Sequence, residues 1–205
     1  MSKLIYILDP GHGGVNPKTG EYVTPGKRSP VWEDGAIYYE GVGNRAIVRI
    51  VAKKLKELGI KYAFTVTPDD WRDISLTDRI KAANAAHKKS PCVLISVHSN
   101  GASSAQAHGY EVYTSPGQTT SDKYATIFYN EFAKIFPELK GRPGLGDGDP
   151  DKEELFAVLK VNCPAFLIES MFHTNPEECK ILMTYEGQEK VAQAVVNTIL
   201  QIEKS

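Results

Sequence analysis

The chain alternates between apolar runs of strand length and stretches whose apolar residues recur at helical spacing. Leu4 to Leu8 is an uninterrupted apolar run that predicts a buried strand, and it stops in the turn Asp9-Pro10-Gly11-His12-Gly13-Gly14. Val15 to Gly35 is rich in Gly and Pro and has no period, which predicts a long loop of the kind that is usually functional or mobile. In the next stretch, Ile47, Ile50, Val51, Leu55 and Leu58 fall on one face of a helix from Glu40 to Leu58, closed by Gly59. Ile60 to Val66 reads as a strand. Ser75 to Ala86 reads as a helix with Ser75 and Asp78 at capping-box spacing.

Cys92 to Val97 is a second apolar strand, ending in His98-Ser99-Asn100-Gly101, and Gly109 to Thr114 alternates like another strand. Ser121 to Phe136 is amphipathic through Tyr124, Ile127, Phe128 and Ile135. A turn-rich acidic loop, Gly141 to Asp151, leads to a short strand at Leu155 to Leu159. Ala165 to Ile168 is apolar and delivers Glu169 at its end. Asn175-Pro176-Glu177 starts a helix with proline at the first helical position, and the final helix runs from about Gln188 to Ile202. No repeat, linker or low-complexity segment interrupts the pattern, so it predicts one α/β domain over residues 1–205.

Composition narrows the partners. With 205 residues, 41% hydrophobic and 24% charged, the chain has enough apolar material for a substantial core. A net charge of -1 argues against nucleic acid and against docking on an anionic surface. No apolar stretch is long enough to span a bilayer. Met1-Ser2-Lys3 runs straight into the first strand, so the expectation is synthesis in the cytoplasm without a signal peptide or membrane anchor. Cys92, Cys163 and Cys179 are odd in number, widely spaced and without a CxxC pair. They read as small core residues.

The candidate chemistry lies at strand and helix ends. His12 and His98 each follow an apolar strand and each precede a glycine within a few residues, Glu40 opens a helix and Glu169 closes a strand. In an open α/β sheet, ligands collect outside the carboxyl ends of the strands. Two imidazoles and one carboxylate suit zinc with a position left for water. A second carboxylate that is not a ligand can act as general base and then as acid toward a leaving amine. The set predicts a metal-assisted hydrolase of amide-type bonds.

These residues also carry a resemblance. Leu8-Asp9-Pro10-Gly11-His12-Gly13-Gly14, Glu40 with Asn44, Ser96-Val97-His98-Ser99-Asn100 and Pro164-Ala165-Phe166-Leu167-Ile168-Glu169 resemble, in order, the motifs of the zinc-dependent N-acetylmuramoyl-L-alanine amidases, which include bacterial cell-wall amidases and phage lysins. Leu76-Thr77-Asp78-Arg79 and Ala83-Asn84 resemble that family's helix before the second histidine. The resemblance spans nearly the whole chain. It implies one zinc ion held by His12, Glu40 and His98, with Glu169 as catalytic acid/base. It also implies a mixed, mostly parallel central sheet flanked by helices on both faces. The implied reaction cuts the bond between the lactyl group of N-acetylmuramic acid and L-alanine in peptidoglycan. The expected molecule is a monomer that acts on the cell wall after its release, bringing about host-cell lysis as a phage lysin does. Glu33 is the rival ligand in the long His12–Glu40 gap. Asn44 at the family's spacing, and the helix that follows, favour Glu40. His173 and Thr174 stand where the family has an apolar residue and serine.

Other residues receive plainer readings. His87, beside Lys88 and Lys89 at a helix end, suits the helix dipole. His108 is expected in solvent, and His173 is close enough in sequence to Glu169 to line the site. Trp32, Tyr38 and Tyr39 divide evenly between core and sugar stacking. Asp147-Gly148-Asp149-Pro150-Asp151 superficially looks like a calcium loop, but Lys152 and Val158 stand where glycine and the bidentate Glu are needed. Two rival functions remain: a zinc peptidase or deacylase acting on soluble intracellular substrates, and a wall-binding module without activity. Glu169 in its full motif argues against the second.

Overall fold

A computed structural model describes residues 3–146 and 148–205; the cytoplasmic-start reading at Met1-Ser2 and Asp147 of the acidic loop lie outside the described residues. Strands β1 (Ile5–Pro10), β2 (Tyr62–Phe64), β3 (Cys92–Asn100), β4 (Glu111–Thr114), β5 (Lys152–Glu153) and β6 (Ala165–Phe172) form one sheet. Their order is β2-β1-β3-β6-β4-β5. β2, β1, β3 and β6 run parallel to one another, while β4 is antiparallel to β6 and parallel to β5. The mixed, mostly parallel sheet and its two helical layers match the expectation.

The apolar runs are continuous because the central strands are covered on both faces. Helices α1 (Glu40–Glu57), α3 (Thr120–Ile135) and α5 (Tyr185–Lys204) lie on one face. There Tyr6, Leu8, Val93, Ile95, Val97, Phe166 and Ile168 pack against Ile47, Val51, Phe128, Phe132, Val195 and Ile199. The other face holds Ile7, Leu94, Ala165 and Leu167 under Ala83 of α2 (Leu76–His87) and under Val158 and Leu159. Helix α4 (Pro176–Met183) begins at Asn175, whose side chain accepts from the backbone N–H groups of Glu177 and Glu178. All three cysteines are free and buried, as expected.

Several boundaries differ from the sequence reading. The apolar run Leu155–Leu159 is not a strand: Ala157–Leu159 is a single 3₁₀ turn that buries Val158 and Leu159 against α2, while Leu155 points outward. The two-residue edge strand lies just before it, at Lys152–Glu153. The final helix starts at Tyr185, capped by the Thr184 hydroxyl, which accepts from Gly187 N. β3 and β6 run further than the apolar residues alone indicate, to Asn100 and Phe172. His98 and Glu169 therefore sit inside strands rather than after them.

Candidate metal centre and active site

The turn after β1 is built to hold His12 in an unusual backbone conformation. His12 is the one non-glycine described residue with a left-handed φ, 65°; such a conformation costs roughly 1–3 kcal/mol and persists only where its surroundings enforce it. Two arginines enforce it. Arg79 Nη2 and Arg45 Nη1 donate to the His12 carbonyl at 2.9 and 2.8 Å, and Arg79 Nη1 also reaches the Pro10 carbonyl at 2.7 Å. Arg79 is anchored by Asp9 at 2.8 Å, both side chains being almost fully buried. Asp9 further accepts from the Ser96 hydroxyl at 2.6 Å and from the Thr65 hydroxyl. Burial opposes its charge, but Arg79 and these donors hold its carboxyl below the usual range.

Glu40 is the first residue of α1, and its N–H donates to the Lys27 carbonyl at 3.0 Å. One turn on, Asn44 donates to the Gly11 carbonyl at 3.3 Å and so ties α1 to the His12 turn. His98 projects from β3 on the same face as Asp9 and Ser96. A Cβ on Gly11 would stand 2.1 Å from His98 Cε1, so only glycine lets the ring pass here.

These segments bring His12, Glu40 and His98 together. Glu40 Oε1 lies 3.2 Å from His12 Nε2 and 3.0 Å from His98 Nδ1, and the rings meet edge-on at 4.9 Å. One potential ligand atom from each residue lies within 4.8 Å of the others. Ligands on a tetrahedral zinc at 2.0–2.1 Å stand roughly 3.3 Å apart, so both the donor types and their spacing fit that ion. Burial works against the Glu40 charge, yet the two imidazoles hold its carboxyl far below the ordinary range. Burial likewise disfavours charged His98, but Glu40 outweighs it and raises the ring's pKa. This is a strongly anion–imidazole-coupled cluster whose members are already arranged for a cation.

Glu169 sits opposite His98 in the parallel register of β3 and β6. Its Oε2 is buried without a hydrogen-bond partner. Burial is the main cause that pushes its pKa up to about 8, with His98 opposing and Glu40 reinforcing the shift. An open cavity of about 820 Å³ runs past His12, Glu40, His98, Glu169 and His173, with Lys27 on its rim. A partner-free, hard-to-ionise carboxyl beside a cation site in a cleft is the pattern of a general acid/base.

The remaining sequence candidates sort clearly. Glu33 is exposed and outside the ligand cluster. Gly26, Lys27 and Arg28 of the long loop line the cavity, but Trp32 does not; it packs, partly buried, against the main core. Tyr38 is buried in that core and Tyr39 stacks on Tyr22 at 4.5 Å. His108 is exposed, bonded through Nδ1 to the Gln106 carbonyl, and His87 ends α2. His173, in contrast, is buried in the cavity wall. The sequence reading missed the Asp9–Arg79 pair; its one signal was a charged Arg79 sharing a helix face with Ala83.

Comparison with known proteins agrees with this geometry. The family model described as N-acetylmuramoyl-L-alanine amidase matches residues 7–201. The chain is 26% identical to N-acetylmuramoyl-L-alanine amidase AmiA of Salmonella typhimurium, over 97% of this chain and 76% of that protein. Its fold is similar to that of an N-acetylmuramoyl-L-alanine amidase from Clostridium difficile 630, with TM-score 0.78, 25% identity and coverage of 100% of this chain and 99% of that one. It is also similar to AmiC2 of Nostoc punctiforme, with TM-score 0.76, 23% identity and coverage of 99% and 98%. With nearly its whole length matched, the chain is a hydrolase that belongs to the N-acetylmuramoyl-L-alanine amidase family.

Proposed function

We propose that this protein is a zinc-dependent peptidoglycan amidase in which His12, Glu40 and His98 hold the ion and Glu169 moves the proton. The observation that carries the reading is the partner-free Glu169 Oε2 beside the three-residue ligand cluster. Zinc in such a set supplies Lewis acidity that makes water a competent nucleophile near neutral pH. Glu169 takes a proton from the attacking water as the C–O bond forms. It returns that proton to the amide nitrogen as the C–N bond breaks, because an unprotonated amine anion is too poor a leaving group. The products are the lactyl carboxylate of N-acetylmuramic acid and a free L-alanyl amine. Glu40 stays ionised throughout as a ligand, and Arg79 and Arg45 keep His12 aimed. All four residues come from one chain, so a monomer suffices.

Mass spectrometry of peptidoglycan digested by the purified, zinc-loaded protein tests this directly. Stem peptides with free N-terminal L-alanine are expected. Cuts within the stem, or activity confined to small soluble acylated peptides, would favour the peptidase or deacylase reading instead. For delivery, we read the protein as a lysin that reaches the wall once the inner membrane is breached. Cells expressing it should stay intact until permeabilised and then lyse at once; lysis of unpermeabilised cells would contradict that route.

A further inference from the structure

Building on the amidase reading, we propose that His173 is a substrate-binding residue whose Nε2 accepts a hydrogen bond from an amide N–H of the peptidoglycan substrate. His173 follows β6 directly, and its backbone N–H donates to the Asn100 carbonyl at 2.8 Å. The residue is only 4% exposed, yet it lines the catalytic cavity. Its Nδ1 lies 3.1 Å from the Ser99 carbonyl oxygen and 3.2 Å from the Ser99 hydroxyl. A carbonyl only accepts, so that contact places the ring hydrogen on Nδ1. Nε2 is left with its lone pair.

Among the described residues nothing bonds to that lone pair. A Cβ on Gly101 would stand 2.8 Å from Nε2, so glycine at 101 keeps the approach open. The Tyr38 ring, 6.1 Å away and inclined by 29°, backs the imidazole from the core side. An acceptor buried without a partner is costly, so whatever displaces solvent here must bring a donor. The substrate has amide N–H groups in the sugar's acetamido group and along the stem peptide. His173 stands four residues beyond Glu169, roughly 13 Å of strand. That offset suits grip on a neighbouring part of the substrate rather than the proton step. An apolar residue, which the resemblance leads one to expect at this position, would have no acceptor to offer.

Two substitutions separate this role from a structural one, each made in the full chain carrying Glu169→Gln so that substrate binds without turnover. His173→Asn keeps a donor for the Ser99 carbonyl and removes the acceptor facing the cavity. His173→Gln does the reverse. Calorimetric binding of N-acetylmuramoyl-L-alanyl-D-isoglutamine should weaken about tenfold for His173→Asn and stay within about threefold for His173→Gln. Repeating it with the D-lactoyl dipeptide, which lacks the sugar, locates the donor: a penalty that persists places it on the stem, and one that vanishes places it on the acetamido group. Equal binding by His173→Asn and the His173 parent, or an equal loss in both variants, overturns the proposal. No binding by the parent itself would instead count against the amidase reading.

Discussion

His98 and Glu169 face each other across β3 and β6, one as a candidate ligand and the other as a carboxyl with a free oxygen. Adjacent strands are about 4.8 Å apart, so the sheet itself fixes the offset between the candidate ligand and the buried carboxyl. No loop has to order for the two to meet. The same burial that leaves Glu169 without a partner makes it reluctant to ionise.

That reluctance has a pH signature in the metal-free protein. The Glu169 pKa is raised by burial to about 8 in the folded state, against about 4.3 in an unfolded chain. Folded protein therefore binds the proton more tightly, and stability is highest below the unfolded value and falls as pH rises toward 8. The loss should be on the order of a few kcal/mol. Chelator-treated protein should melt progressively lower from pH 5 to pH 9, with Glu169→Gln showing a distinctly smaller fall. Parallel curves for the two proteins would contradict the burial of an ionisable Glu169.

Arg79 should matter to both stability and metal binding, although it is not one of the candidate ligands. Arg79→Met strands buried Asp9 and removes donors from the Pro10, His12 and Ile74 carbonyls. Breaking a buried pair this way costs about 3–5 kcal/mol. Arg79→Lys keeps the charge but not the planar fork, so it should recover only part of the loss. Denaturant unfolding and zinc titration read the two effects; an Arg79→Met variant with parental stability would show that the pair is idle.

The parts of this molecule legible in its sequence are those set by local pattern. The buried strands, the faces of α1 and α3, and the order of His12, Glu40, His98 and Glu169 all follow from periodicity and motif. Leu155–Leu159 misled because a short apolar run has no period to separate a strand from a 3₁₀ turn packed on a helix. Trp32 stays open in the sequence because an aromatic in a loop near a metal suits either core packing or sugar stacking; its ring packs on the core. The Asp9–Arg79 pair was hidden by a separation of 70 residues, which no local spacing rule reaches.

Metal content should discriminate between the two carboxylates before α1. Glu40→Ala should leave protein purified without added metal nearly zinc-free, while exposed Glu33→Ala should keep one zinc per chain. Elemental analysis decides. The reverse pattern would place the third ligand in the loop.

Trp32 should be a packing residue. Because its ring rests on the core and does not line the cavity, Trp32→Ala should lower stability by about 1–3 kcal/mol and leave wall cleavage unchanged once folded. Reduced kcat/KM at full stability would return the ring to the substrate groove.

The most direct measurement is turnover of Glu169→Gln alongside its zinc content. The substitution keeps the side chain's shape and removes its ability to take a proton. A folded variant with one zinc per chain and wall cleavage reduced at least about 10²-fold is expected. Near-parental cleavage by that zinc-replete variant would contradict the account, because the proton would then be carried by some other group.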